Sequence, residues 1–118
     1  MDGDLATVLD IVLAGRRIAR FIAGADETNF ATMEEKRWAV VSQLTIIGEA
    51  VRRLSDGFLQ ARPGIAWRQI AGMRDRLVHG YDKINWSLVW LTAAEDVPRL
   101  IAELEPLVPE QSSNRTET

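Results

Sequence analysis

The sequence has no cysteine, and it has only one histidine and one tyrosine. Without cysteine there is no disulfide framework and no thiolate zinc site, and nothing in the composition argues for secretion. A lone histidine with no carboxylate cluster around it in sequence speaks against a dedicated catalytic metal site, and no cofactor is implied. No apolar run approaches the ~20 residues of a membrane span. Arg16, Arg17 and Arg20 interrupt the first one. The N-terminus lacks the basic-then-apolar layout of a signal peptide, so a cytoplasmic protein without a membrane partner is the expectation. Neither a strand-like alternation nor an internal repeat stands out. The 118 residues leave room for one domain with one core.

A net charge of −3 taken alone disfavours a polyanionic partner, but its distribution does not. Residues 52–83 carry seven basic side chains against three acidic ones, +4, while 1–51 carry −3 and 103–118 a further −3. Positive charge gathered in one stretch suits local engagement of a nucleic acid rather than general coating of it.

Four amphipathic helices account for most of the chain. In the first, Leu5, Val8, Leu9, Val12, Ala19 and Ile22 recur at helical spacing. Asp2 or Asp4 can cap its start, Gly24 can stop it, and its arginines suit the dipole and solvent. Residues 25–31 read as a polar linker. Thr32 and Glu35 fit a capping box opening a second helix, whose Val40, Leu44, Ile47, Val51 and Leu54 repeat like a heptad seam. Trp38, Val41, Thr45 and Gly48 form a second stripe, so two packing partners are implied, a second copy of the chain being one option. A glycine inside a helix costs about 1 kcal/mol relative to alanine, so Gly48 marks a close approach by another helix. Ser55-Asp56-Gly57 ends this helix, and the stretch around Pro63-Gly64 is a turn.

The spacing predicts a third helix over 67–79, with Ile70, Met73 and Leu77 inward and Gly80 as its stop. Asn85 can cap the fourth, in which Pro98 predicts a kink. The four tryptophans suit core and interface better than base stacking. A domain over 1–105 is followed by a polar tail, 106–118, expected to be disordered. The architecture expected is all-α, an up-and-down four-helix bundle.

The chemistry concentrates in residues 73–82, M-R-D-R-L-V-H-G-Y-D. Arg74 stands five residues before His79, and Tyr81 follows at once. A guanidinium grips phosphate oxygens and stays cationic. An imidazole exchanges protons near neutral pH. Together they suffice to cut a phosphodiester without a metal. The same residues also fit a capped helix end with surface ion pairs. On one continuous helix, positions five apart lie about 140° apart with ~7.5 Å of rise. A shared phosphate then needs a bend at Gly80 or a second protomer.

R-D-R-L-V-H-G-Y resembles the R-x-x-x-x-H-x-Y signature of the HEPN superfamily, and more narrowly its HepT (DUF86) branch. Residues 38–54, with their internal I-G-E-A, resemble that family's second helix, and 65–81 the segment leading into the motif. The likeness spans roughly residues 4–105. Asp75 stands where many relatives carry Asn, and an ionised Asp accepts hydrogen bonds but donates none.

The resemblance implies a homodimer with a composite cleft that brings two arginines and two histidines together. It implies the toxin of a toxin–antitoxin pair, a metal-independent endoribonuclease with RNA as substrate. Arg74 and His79 would be catalytic; beside the resemblance, Asp75 is read as support for the site and Arg76 and Lys83 as candidates for RNA backbone contacts. Tyr81 would accept AMP from a cognate nucleotidyltransferase antitoxin of the MNT type. The alternative is a non-catalytic helical subunit that binds nucleotide or substrate within a nucleotidyltransferase complex.

Overall fold

The computed structural model describes residues 2–79 and 83–109. Helix α1 (Asp2–Ile22) buries Val8, Ile11, Val12, Ala14 and Ile18 completely. That face is rotated from the expected one, for Leu5 and Ala19 are exposed. Two elements make most of the cover over α1, which explains the change. One is α3 (Glu34–Arg52), and the other is α8 (Val97–Leu104). A Cβ added at Gly15 would run into the Ile101 side chain, so glycine is what lets α8 come this near.

Pairs from α1 to α3 and the residues just past its end run in opposite order along the chain. Asp4 meets Ser55, Asp10 meets Arg53, and Arg17 meets Gln43, so the helices are antiparallel. Asp4 therefore does not cap the first turn. It lies inside α1, 6% exposed, and accepts from the Ser55 backbone N–H at 2.9 Å and the Ser55 hydroxyl at 2.6 Å. Arg16 and Arg17 are likewise more than dipole partners. Arg16 pairs with Glu105 at 2.9 Å, and Arg17 donates to Gln43 Oε1 at 3.2 Å.

The expected linker holds a short helix, α2 (Glu27–Phe30), with its own capping box. Asn29 N–H donates to Asp26 Oδ1 at 2.8 Å and Asp26 N–H to Asn29 Oδ1 at 2.9 Å. The Thr32–Glu35 box does not form. The Thr32 hydroxyl donates to the Asn29 carbonyl, and Met33 opens α3 without a side-chain cap. Burial of Phe30 against Trp90, ring centroids 5.2 Å apart, fixes α2 in place of a loose link.

The seam of α3 is as expected, with Val40, Leu44, Ile47, Val51 and Leu54 all buried. The helix itself ends at Arg52, short of the expected Ser55-Asp56-Gly57 stop, and Ser55 instead caps a further helix, α4 (Asp56–Gln60), accepting from Phe58 N–H at 3.2 Å. The third long member is broken into α5 (Trp67–Ala71) and α6 (Met73–Leu77), with Gly72 between them. Gly48 of α3 faces α5 directly. A Cβ there would lie 3.2 Å from the Ala71 carbonyl oxygen and 3.3 Å from that of Ile70. The second stripe of α3 is thus largely met within the chain, by α5 at its Gly48 end and by Trp86 beside Trp38.

The fourth member is α7 (Trp86–Leu91), a π-helical turn (Thr92–Asp96) and then α8. The irregularity expected at Pro98 sits one turn upstream. Pro98 occupies the first turn of α8, where its missing N–H is harmless. The widened turn before it, with Val97 N–H bonded to Thr92 O, relieves the clash a proline ring makes with the carbonyl four residues back. Beyond α8 a 3-10 turn (Glu105–Leu107) leads to Val108, which is buried. Packed structure therefore continues past Pro106 into the stretch expected to be tail, because Val108 finds a place on the core. Among the described residues the fold is all-α, an up-and-down bundle whose third and fourth members are each interrupted.

Two predictions follow the packing. Overpacking costs about 1–3 kcal/mol, more than the ~1 kcal/mol alanine gains in helix propensity, so Gly48→Ala should lower the urea midpoint. An unchanged midpoint would show α5 free to move away. The Ser55 hydroxyl and N–H hold the Asp4 carboxyl below its usual 3.8. Its stabilisation is therefore full above the unfolded value and disappears as pH falls through the lowered folded one. The Tm advantage of wild type over Asp4→Asn should be greatest near neutrality and shrink in acid. A gap constant from pH 7 to below 3 would contradict it.

Candidate functional site

Helix α6 is anchored by two side chains. Met73 and Leu77 are buried, and this turns Arg74, Asp75 and Arg76 outward, all three exposed. Arg74 Nη1 lies 3.8 Å from Asp75 Oδ1, a loose pair with side-chain exposures of 53% and 73%. Such a pair holds the guanidinium weakly and leaves it open to a stronger anion.

The helix ends at Leu77, two residues before the expected end at His79. Val78 is extended (φ −122°, ψ 112°), and its N–H makes the last helical bond, to Arg74 O at 2.9 Å. Val78 then pairs in antiparallel fashion with Ile84. Asn85 N–H donates to Leu77 O at 3.0 Å and His79 N–H to Lys83 O at 2.7 Å. The β-branched Val78 suits an extended backbone better than a helix end. These bonds satisfy a carbonyl that the helix would otherwise leave without a partner. His79 is thus carried on a short ribbon rather than on the helix, and it is exposed. The 140° separation expected on a continuous helix no longer applies. Gly80, Tyr81 and Asp82 lie outside the described residues, so the modification expected at Tyr81 does too.

The other basic residues divide. Arg76 Nη1 donates to the Gln69 carbonyl at 2.8 Å and borders a separate groove of about 670 Å³ between α5–α6 and α8. Ile70 and Met73 floor that groove and Asp96 and Arg99 stand on its rim. Arg53 pairs with Asp10, and the Arg62 guanidinium stacks 4.1 Å over Phe58. Lys83 is exposed beside His79 on the ribbon. The +4 stretch is thus partly spent on the fold.

Asn85 does what its type suggested, its side chain accepting from Leu88 N–H at 3.0 Å to cap α7. Its backbone bond to Leu77, which helps end α6, carries no sequence signal. The tryptophans are not all buried. Trp67 is in the core and Trp38 is 46% exposed, set edge-on to Trp86 with centroids 5.4 Å apart. Arg37 stacks 4.3 Å over Trp86. Among the described residues no helix is long and apolar enough to cross a membrane.

The chain is similar to named proteins over most of its length. A "Putative RNase MJ1380" of Methanocaldococcus jannaschii is 33% identical over 100 residues, 85% of this chain and 92% of the relative. A "Probable ribonuclease HepT" of Thermococcus cleftensis is 35% identical over 98 residues, 83% of this chain and 89% of the relative. No solved structure matches the chain significantly. The model of the family described as "Ribonuclease HepT-like" matches residues 11–107, a span that contains α6, the ribbon and the helices that hold them. The chain belongs to the HepT-like ribonuclease family.

Proposed function

We propose that the protein is a metal-independent endoribonuclease that acts through Arg74 and His79. The carrying observation is that both side chains are exposed on six consecutive residues whose backbone is fixed from behind. Buried Met73 and Leu77 fix it on one side and the Val78–Ile84 pairing on the other. A guanidinium held only loosely by Asp75 is available to a phosphate. The imidazole stands two residues beyond the helix end, with its backbone restrained and its ring in solvent.

In the reaction proposed, a ribose 2′-hydroxyl attacks its own 3′-phosphate. His79 moves the proton, and Arg74 orients the phosphate and stabilises its developing charge. Asp75 positions Arg74, and Arg76 and Lys83 contact the RNA backbone. Two copies bring their motifs together across a two-fold axis to form the cleft. The names of the relatives support RNA as the substrate.

The setting proposed is a toxin–antitoxin pair in which a cognate nucleotidyltransferase transfers AMP to Tyr81. A phosphate two residues from His79 would pair with Arg74 and exclude the substrate phosphate.

Incubation of RNA with the purified protein in EDTA tests the chemistry. Wild type should cleave, and His79→Ala and Arg74→Ala should each lose about 10²-fold or more while keeping a native circular dichroism spectrum. Intact RNA with wild type, or full activity in either variant, overturns the proposal. Intact RNA would favour a non-catalytic binding subunit. Co-expression with the nucleotidyltransferase should add one or more AMP masses to wild type and none to Tyr81→Phe. An adduct on Tyr81→Phe would refute that site.

A further inference from the structure

The pairing of Val78 with Ile84 has a register, and register decides which side chains share a face. Its two bonds, Asn85 N–H to Leu77 O and His79 N–H to Lys83 O, make 78 and 84 directly opposed and 79 and 83 the next opposed pair. Val78 and Ile84 are half-buried and pack against the core. Side chains alternate along a paired strand. His79 and Lys83 therefore stand together on the other face, and both are exposed. Directly opposed residues keep their Cβ atoms about 5 Å apart, well within the reach of a lysine stem. Arg76 has a different position, for its guanidinium bonds the Gln69 carbonyl and faces the groove beside α8.

This geometry changes what Lys83 can do. An ordinary backbone contact would bind some phosphate along the strand. A cation opposite His79 is within reach of the phosphate that His79 would serve. In the transesterification the 2′-oxygen–phosphorus bond forms and the bond from phosphorus to the 5′-oxygen breaks. The 2′-hydroxyl proton passes to His79, and the departing 5′-oxygen takes a proton from water. The phosphoryl oxygens carry most charge midway, and a fixed cation within contact distance lowers that barrier without changing its own protonation.

We propose that Lys83 is a catalytic residue, its ammonium contacting a non-bridging oxygen of the phosphate on which Arg74 and His79 act. The proposal rests on the endoribonuclease reading above. It replaces a general RNA contact with a specific place at the reacting atoms.

Steady-state cleavage of a short single-stranded RNA in EDTA separates the two roles. Lys83→Gln should lower kcat at least about tenfold and leave KM nearly unchanged, since only a charge-developing step is affected. Lys83→Arg, which keeps the cation, should recover most of kcat. Arg20→Gln, which removes an exposed cation in the last turn of α1, should leave both constants as in wild type. A rise in KM at constant kcat, largest at low salt and shrinking as salt is added, would make Lys83 a flanking contact and overturn the proposal. So would a Lys83→Gln enzyme indistinguishable from wild type. If wild type fails to cleave, or His79→Ala cleaves normally, the endoribonuclease reading itself has failed and this inference falls with it. Normal His79 dependence with an inert Lys83 defeats this inference alone.

Discussion

Two backbone hydrogen bonds set the geometry of the described part of the motif. Asn85 N–H to Leu77 O and His79 N–H to Lys83 O stop α6 and turn the chain into a ribbon. Had the helix run on to His79, the imidazole and Arg74 would have stood on widely separated faces of one cylinder. The early stop instead sends Val78 and Ile84 toward the core and leaves His79 and Lys83 facing solvent. Burial of two apolar side chains thus fixes the position of two polar ones. That is a robust way to hold a site on a surface, since the apolar pair resists a register slip that would expose it.

The rest of the bundle supports α6 from behind. Gly48 lets α5 come within van der Waals reach of α3, and Met73 and Leu77 seat α6 in the same core. Gly72 divides α5 from α6, so α6 need not continue the axis of α5. On the far side, Asn85 caps α7 with its side chain while its backbone closes the ribbon. One residue thus joins the site to the fourth member of the bundle.

Much of this was legible in the sequence. The α3 seam from Val40 to Leu54, the meaning of Gly48 and the Asn85 cap all follow from spacing and from residue type. The motif resemblance pointed to the family that the comparisons bear out. Other features depend on contacts distant in sequence. Ser55 reaches Asp4 across 51 positions, and no local pattern could announce that bond. The capping box of α2 competes with the one expected at Thr32, and the burial of Phe30 decides between them. The end of α6 at Leu77 was hidden because Val78 continues the apolar pattern of a helix while pairing with Ile84. The π-helical turn was displaced from the proline that accounts for it.

The chemistry proposed for Arg74 and His79 would leave a signature on the RNA itself. Mass spectrometry of fragment ends, after cleavage in EDTA by the full chain, reads it without reference to rates. Attack by the 2′-hydroxyl leaves a 2′,3′-cyclic phosphate on one fragment and a 5′-hydroxyl on the other, and that pair is the expected result. Fragments ending in a 3′-hydroxyl and a 5′-phosphate would mean that water attacked instead, and the roles given to both residues would be wrong.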